Sequence, residues 1–111
     1  MGRISEPEFK ARMVQVLMPF GKGVIRSVVG PGRSGQIAAV YASHILGAAW
    51  LPPTMKAREI PARMRPVLAI DTAARTGATL RRLVRVTGAE YSRFLFTEPP
   101  LLRFWYEGQE P

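Results

Sequence analysis

The stretch Val67-Leu68-Ala69-Ile70-Asp71-Thr72-Ala73-Ala74-Arg75-Thr76-Gly77-Ala78-Thr79-Leu80 decides how the rest of this sequence is read. Its first half is a continuous apolar run ending in a carboxylate, the pattern of a strand buried on both faces. A short loop follows, and Thr76-Gly77-Ala78-Thr79 opens a helix. Leu80, Leu83, Val84 and Val86 lie on the apolar side of that helix, with Arg81, Arg82 and Arg85 outside and Gly88 at its end.

Upstream, Val24 to Val29 is a β-branched strand running into Gly30-Pro31-Gly32-Arg33-Ser34-Gly35. Ser34 to Leu46 reads as a helix closed by Gly47, and Ala48 to Leu51 as a short strand cut off by Pro52-Pro53. Residues 54–64 form a basic connector with room for one helical turn. At the N-terminal side Ser5 caps a helix, with Glu8 as its capping-box partner and Phe9, Met13, Val16, Leu17 and Phe20 as its apolar stripe. Met13, Met18 and Phe20 are expected in the core. Downstream, Tyr91 to Phe96 reads as a strand. Residues 97–111 read as an aromatic and acidic C-terminal tail, in which Leu101 to Tyr106 forms an edge strand or packs against the body. Near-continuous apolar strands separated by helices imply one domain over residues 1–111, with a mostly parallel sheet covered on both faces.

Composition narrows the function classes. The chain has 111 residues and no cysteine, which excludes disulfides, thiolate metal sites and a cysteine nucleophile. A lone histidine, His44, excludes a histidine-rich zinc site and is expected at the surface. No apolar run is long enough to cross a bilayer and no secretory h-region opens the sequence, so a cytoplasmic location without membrane attachment is the expectation. Lys and Arg number 16 against 8 Asp and Glu. Between Phe9 and Ala89 there are 13 basic residues and two acids, Glu59 and Asp71. Such a body attracts polyanions: a phosphorylated ligand, an acidic protein, or nucleic acid without sequence preference. An arginine-rich surface with no partner carries the same count.

In a parallel sheet, ligands bind beyond the carboxyl ends of the strands. Two loops leave such ends here, Gly30 to Gly35 and Asp71 to Thr79. Small residues in the second let backbone N–H groups approach an anion, and the helix N-terminus adds partial positive charge. Thr76 and Thr79 can donate hydroxyl bonds to phosphate oxygens, and Asp71 can accept from sugar hydroxyls. A threonine-capped junction that holds no ligand uses the same residues.

The Val67–Leu80 stretch resembles the phosphoribosyl-pyrophosphate motif of type I phosphoribosyltransferases: an apolar strand, two adjacent acids, three variable residues, then Thr-Gly-x-Thr. Val28 to Gly35, followed by an alanine-rich helix, resembles the pyrophosphate loop of that family. The resemblance spans about Val24 to Phe96 and implies a three-layer α/β sandwich with strand order 2-1-3-4, counted from the strand at Val24. It implies that Thr72, Arg75, Thr76, Gly77, Ala78 and Thr79 hold the 5′-phosphate side of a phosphoribosyl ligand. Arg33, Ser34 and Gly35 would meet pyrophosphate. Asp71 would bind ribose hydroxyls as the catalytic acid of the motif, directly or through weakly held Mg²⁺.

Three departures qualify that implication. Thr72 stands where the family usually has a second acid. Arg75 stands where some purine-salvage members have a carboxylate base. The span from Pro52 to Pro66 is short for the family's mobile flap, which excludes water from the reacting sugar. The expected function is therefore binding of ribose 5-phosphate, a nucleotide or a pyrophosphorylated sugar, with weak or no transferase activity. The competing expectation is a non-catalytic interaction protein, of viral or accessory type, that docks through its basic surface or aromatic tail. A third is a transferase completed by another chain, and self-association is compatible with each.

Overall fold

The computed structural model describes residues 2–108; of the expected tail, residues 109–111 lie outside the described residues, as does Met1. The elements run β1 (Gly2–Ile4), α1 (Glu6–Leu17), β2 (Ser27–Val29), α2 (Gly32–Leu46), β3 (Ala49–Trp50), two 3-10 turns (Ala57–Glu59 and Ala62–Met64), β4 (Val67–Ala74), α3 (Ala78–Thr87), β5 (Tyr91–Thr97) and β6 (Leu102–Phe104).

The main sheet has the order β3-β2-β4-β5 with every pair parallel, which is the expected 2-1-3-4 arrangement of the four strands that follow Val24. Strand side chains alternate between faces, so β4 feeds both layers. Leu68 and Ile70 join Phe9, Met13 and Leu17 of α1 and Ala38, Ala39 and Ala42 of α2. Val67 and Ala69 join Leu80 and Leu83 of α3 on the other side, together with Ile60 between the two turns. The result is a three-layer α/β sandwich.

Local chemistry sets the element ends. The Ser5 side chain accepts from the Glu8 N–H at 3.3 Å, as its capping position requires. At the C-terminus of α3, Arg65 donates to the carbonyls of Thr87 (2.8 Å) and Gly88 (2.9 Å), placing a cation at the negative end of the helix. Gly30 and Gly35 allow strand and helix to meet: a Cβ on Gly30 would lie 1.9 Å from the Gly35 carbonyl oxygen.

Several expectations are corrected. β4 does not stop at Asp71 but continues to Ala74, because β5 stays in register alongside it, with Ala73 opposite Phe96 and Ala74 opposite Thr97. The stretch from Leu101 to Tyr106, expected to form an edge strand or to pack against the body, does both, and only the boundary at Thr97 shifts. Thr97 closes β5, and β6 pairs in parallel with β1, Ile4 opposite Phe104, to make a second, two-stranded sheet. The aromatic cluster packs inward, with Phe104 buried and Trp105 in edge contact with Phe9 at 5.0 Å between ring centroids. Met13 is fully buried, but Met18 just beyond α1 is 74% exposed. Among the described residues no helix is long and apolar enough to cross a membrane.

Candidate functional site

β2 ends opposite Ala69 while β4 runs on to Ala74, so the first turn of α2 and the β4–α3 loop both leave the carboxyl end of the sheet, the second five residues further along. A cleft of about 220 Å³ opens there, lined by Asp71, Ala73, Ala74, the loop residues Arg75 to Thr79, Leu80 and Glu98. Six of the sequence-predicted residues thus come together: Asp71, Arg75, Thr76, Gly77, Ala78 and Thr79.

The loop forms a shallow cup at the N-terminus of α3, facing the cleft. Gly77 takes a left-handed conformation (φ 79°, ψ 5°) and turns the chain directly into α3. Helix geometry leaves the first N–H groups of α3 without partners inside the helix. The Thr76 hydroxyl accepts one of them, from Ala78, at 3.3 Å. The guanidinium of Arg81 folds back to donate to the Thr76 carbonyl at 2.9 Å, which brings a fixed positive charge beside the cup. Amide dipoles, hydroxyls and arginines around one small cleft suit a phosphate group.

Asp71 faces the α3 layer from within the strand rather than from its tip. Burial pushes its carboxyl above the ordinary value and nearby Glu98 adds to the rise, while the Thr72 N–H donating to it at 2.8 Å acts in the opposite direction. A half-buried acceptor at this position can bond sugar hydroxyls.

The remaining predicted residues are placed differently. Thr72 is buried on the opposite face of β4, where its Oγ1 lies 3.0 Å from Ser34 Oγ. Ser34 is also hydrogen-bonded to the Tyr106 hydroxyl. Gly35 is buried against Gly30 and Pro31. Arg33 is exposed and lines a separate hollow of about 440 Å³ with Gln36, Val40 and Trp50. His44 is exposed on α2, as expected.

Sequence reasoning missed Arg81 and Glu98 beside the cleft, and Tyr106, which lies outside it and bonds Ser34. Arg81 looked like part of a solvated helix face, although it stands four residues after Gly77, one turn above the cup. Glu98 reaches the cleft because β5 runs parallel to β4 and its own N–H bonds the Ala74 carbonyl at 3.0 Å. Tyr106 arrives through the β1–β6 pairing, for which the sequence carries no short-range signal.

No protein-family model matches this chain, and no curated protein does. Solved structures match its fold closely. A Helicobacter pylori xanthine-guanine-hypoxanthine phosphoribosyltransferase superposes with a TM-score of 0.75 at 14% identity, covering 96% of this chain and 92% of that one. A purine phosphoribosyltransferase from Pyrococcus horikoshii OT3 gives 0.70 at 19% identity, with 100% and 97% coverage. An adenine phosphoribosyltransferase from Rhodothermus marinus gives 0.64 at 20% identity, with 89% and 78% coverage. The chain therefore has a type I phosphoribosyltransferase-like fold.

Proposed function

We propose that this protein binds a ribose 5-phosphate, nucleotide or pyrophosphorylated sugar ligand in the cleft between Asp71 and the Arg75–Thr79 loop, with weak or no transferase activity. The observation that carries the reading is the left-handed Gly77 at the start of α3, lying in one cleft with Asp71. The phosphate sits on the amide cup, Arg75 and Arg81 offset its charge, and Asp71 accepts from the ribose hydroxyls.

The chain's own residues argue for binding more than for transfer. Arg75 has no proton-accepting atom at neutral pH, so the position filled by a base in some relatives offers none. Residues 52–66 are anchored rather than free to close over a substrate: Ile60 is buried, and Met55 and Met64 pack against the same core as α3. Mg²⁺ fits as an ion carried in by the ligand. Its preference for one or two carboxylates plus phosphate oxygens matches Asp71 and Glu98, which would hold it and help neutralise phosphate charge. Thr72 cannot add a ligand, because its hydroxyl is turned to Ser34 on the opposite face.

The competing interaction reading loses one of its two surfaces, since the aromatic segment is packed on Phe9 and Tyr41. A thermal-shift series with inorganic phosphate, ribose 5-phosphate, phosphoribosyl pyrophosphate and nucleotides tests the proposal. A ligand at 100 times its Kd should stabilise the fold by about 2.7 kcal/mol. The shift should disappear in Gly77→Ala and weaken in Thr79→Val. Absence of any shift with every phosphate compound would overturn the reading.

A further inference from the structure

The two helix N-termini at this end of the main sheet are not equivalent. At α3 the cup is open to the cleft. At α2 the Ser34 hydroxyl is engaged by Thr72 at 3.0 Å and by the phenol of Tyr106. A serine hydroxyl has one proton and two acceptor positions, so two partners take up most of its capacity. Tyr106 is held firmly: its ring stacks on Phe104 at 5.5 Å with a 10° tilt and meets Trp105 edge-on at 4.9 Å. Phe104 in turn is fixed by the β1–β6 pairing. Burial raises the Tyr106 phenol above its ordinary range, so it stays neutral, and Glu107 next to it adds negative potential. An anion approaching Ser34 must therefore displace an anchored hydroxyl next to a carboxylate. An anion at the α3 cup meets open amide groups and Arg75, with Arg81 close by, although Asp71 and Glu98 line the same cleft, so the two ends differ in the occupied hydroxyl and not in the presence of carboxylates.

We propose that Tyr106 is a specificity-determining residue, and that by occupying Ser34 it restricts the cleft to ligands with a phosphate on the α3 side alone and disfavours those carrying a pyrophosphate toward α2. The inference rests on the phosphate-binding reading above. It predicts that ribose 5-phosphate and nucleoside monophosphates bind at least as tightly as phosphoribosyl pyrophosphate, although the latter carries more charge.

Isothermal titration of ribose 5-phosphate and phosphoribosyl pyrophosphate against the full chain, Tyr106→Phe and Ser34→Ala tests it. Tyr106→Phe keeps the ring packing and frees Ser34. It should leave ribose 5-phosphate affinity within about twofold and tighten phosphoribosyl pyrophosphate about tenfold, the worth of one competing hydrogen bond. Ser34→Ala should leave ribose 5-phosphate unchanged and show no such tightening. A second readout does not depend on these variants folding. In a Trp50→Phe background Trp105 is the sole tryptophan, and its emission should shift with phosphoribosyl pyrophosphate, which must move Tyr106, but not with ribose 5-phosphate. Ribose 5-phosphate binding combined with an unchanged phosphoribosyl pyrophosphate affinity in Tyr106→Phe overturns the specificity role and leaves the binding reading intact. Tighter binding of phosphoribosyl pyrophosphate than of ribose 5-phosphate by the unmodified chain does the same. Failure of both sugars to bind overturns both.

Discussion

The half-buried carboxylate of Asp71, to which the proposed function gives a binding role, costs stability at neutral pH. The rise in its pKa is caused first by desolvation. For a carboxyl raised in the folded state, the native protein binds the extra proton. Stability is then greatest at low pH and falls as pH climbs from the ordinary value of 3.8 through the folded one. Asp71→Asn removes the charge and keeps the shape, so thermal melts should show a higher Tm than the parent at neutral pH, with the difference closing as pH falls toward 3.8. Ribose-containing ligands should bind about tenfold more weakly, because an amide is a poorer acceptor for paired hydroxyls, while inorganic phosphate should be unaffected. A Tm that drops at neutral pH would show that Asp71 has a supporting role the structure does not display.

Elements explain why part of this architecture is legible in sequence and part is not. The order of the main-sheet strands and the two covering layers follow from continuous apolar runs at Val28–Val29 and Val67–Ile70 and from helical stripes such as Phe9, Met13 and Leu17. The loop proposed to hold an anion is legible because Gly77 is needed for a left-handed turn and threonines flank it. The face assignment of Thr72 is harder to read. A strand that continues past Asp71 puts residues 71 and 72 on opposite sides, whereas a strand that stops there leaves both in a loop. The strand β6 falls within the stretch after Pro99-Pro100 that reads as an edge strand, but its partner β1 is three residues with no periodicity to detect, so the β1–β6 pairing is not legible locally. One consequence is testable. Thr72→Asp restores the acidic pair of the resembling motif on paper, but it buries a carboxylate between two hydroxyls on the α1–α2 side. It should lower stability by ~3 kcal/mol in urea denaturation and gain no Mg²⁺-dependent affinity, while Thr72→Ser should be close to neutral. A stable Thr72→Asp with strengthened ligand binding would contradict the face assignment.

At the scale of the whole molecule, charge and covalent order each have an effect. The excess of 16 basic over 8 acidic residues is spread across exposed positions on several elements, including Arg33, Lys10, Arg82 and Arg85. Such a distribution favours loose contact with polyanions and gives no groove-reading element. Duplex DNA should retain the protein at low ionic strength and release it near physiological salt, with the same affinity for unrelated sequences in gel-shift titrations. Retention that survives 0.5 M salt, of the order where a Debye length of a few ångströms screens surface charge, would point to a built nucleic-acid site instead.

The ladder that joins Gly2–Ile4 to Leu102–Phe104 also bears on how this chain comes into being. A polypeptide made from its amino end cannot finish its core as it emerges, because Phe9 waits for Phe104, Trp105 and Tyr106 to cover it. Contacts that distant in sequence form late and slowly. A nascent chain therefore carries an uncovered aromatic patch until translation has passed Tyr106, which makes that interval, more than the finished fold, its period of greatest exposure to chaperones and to aggregation.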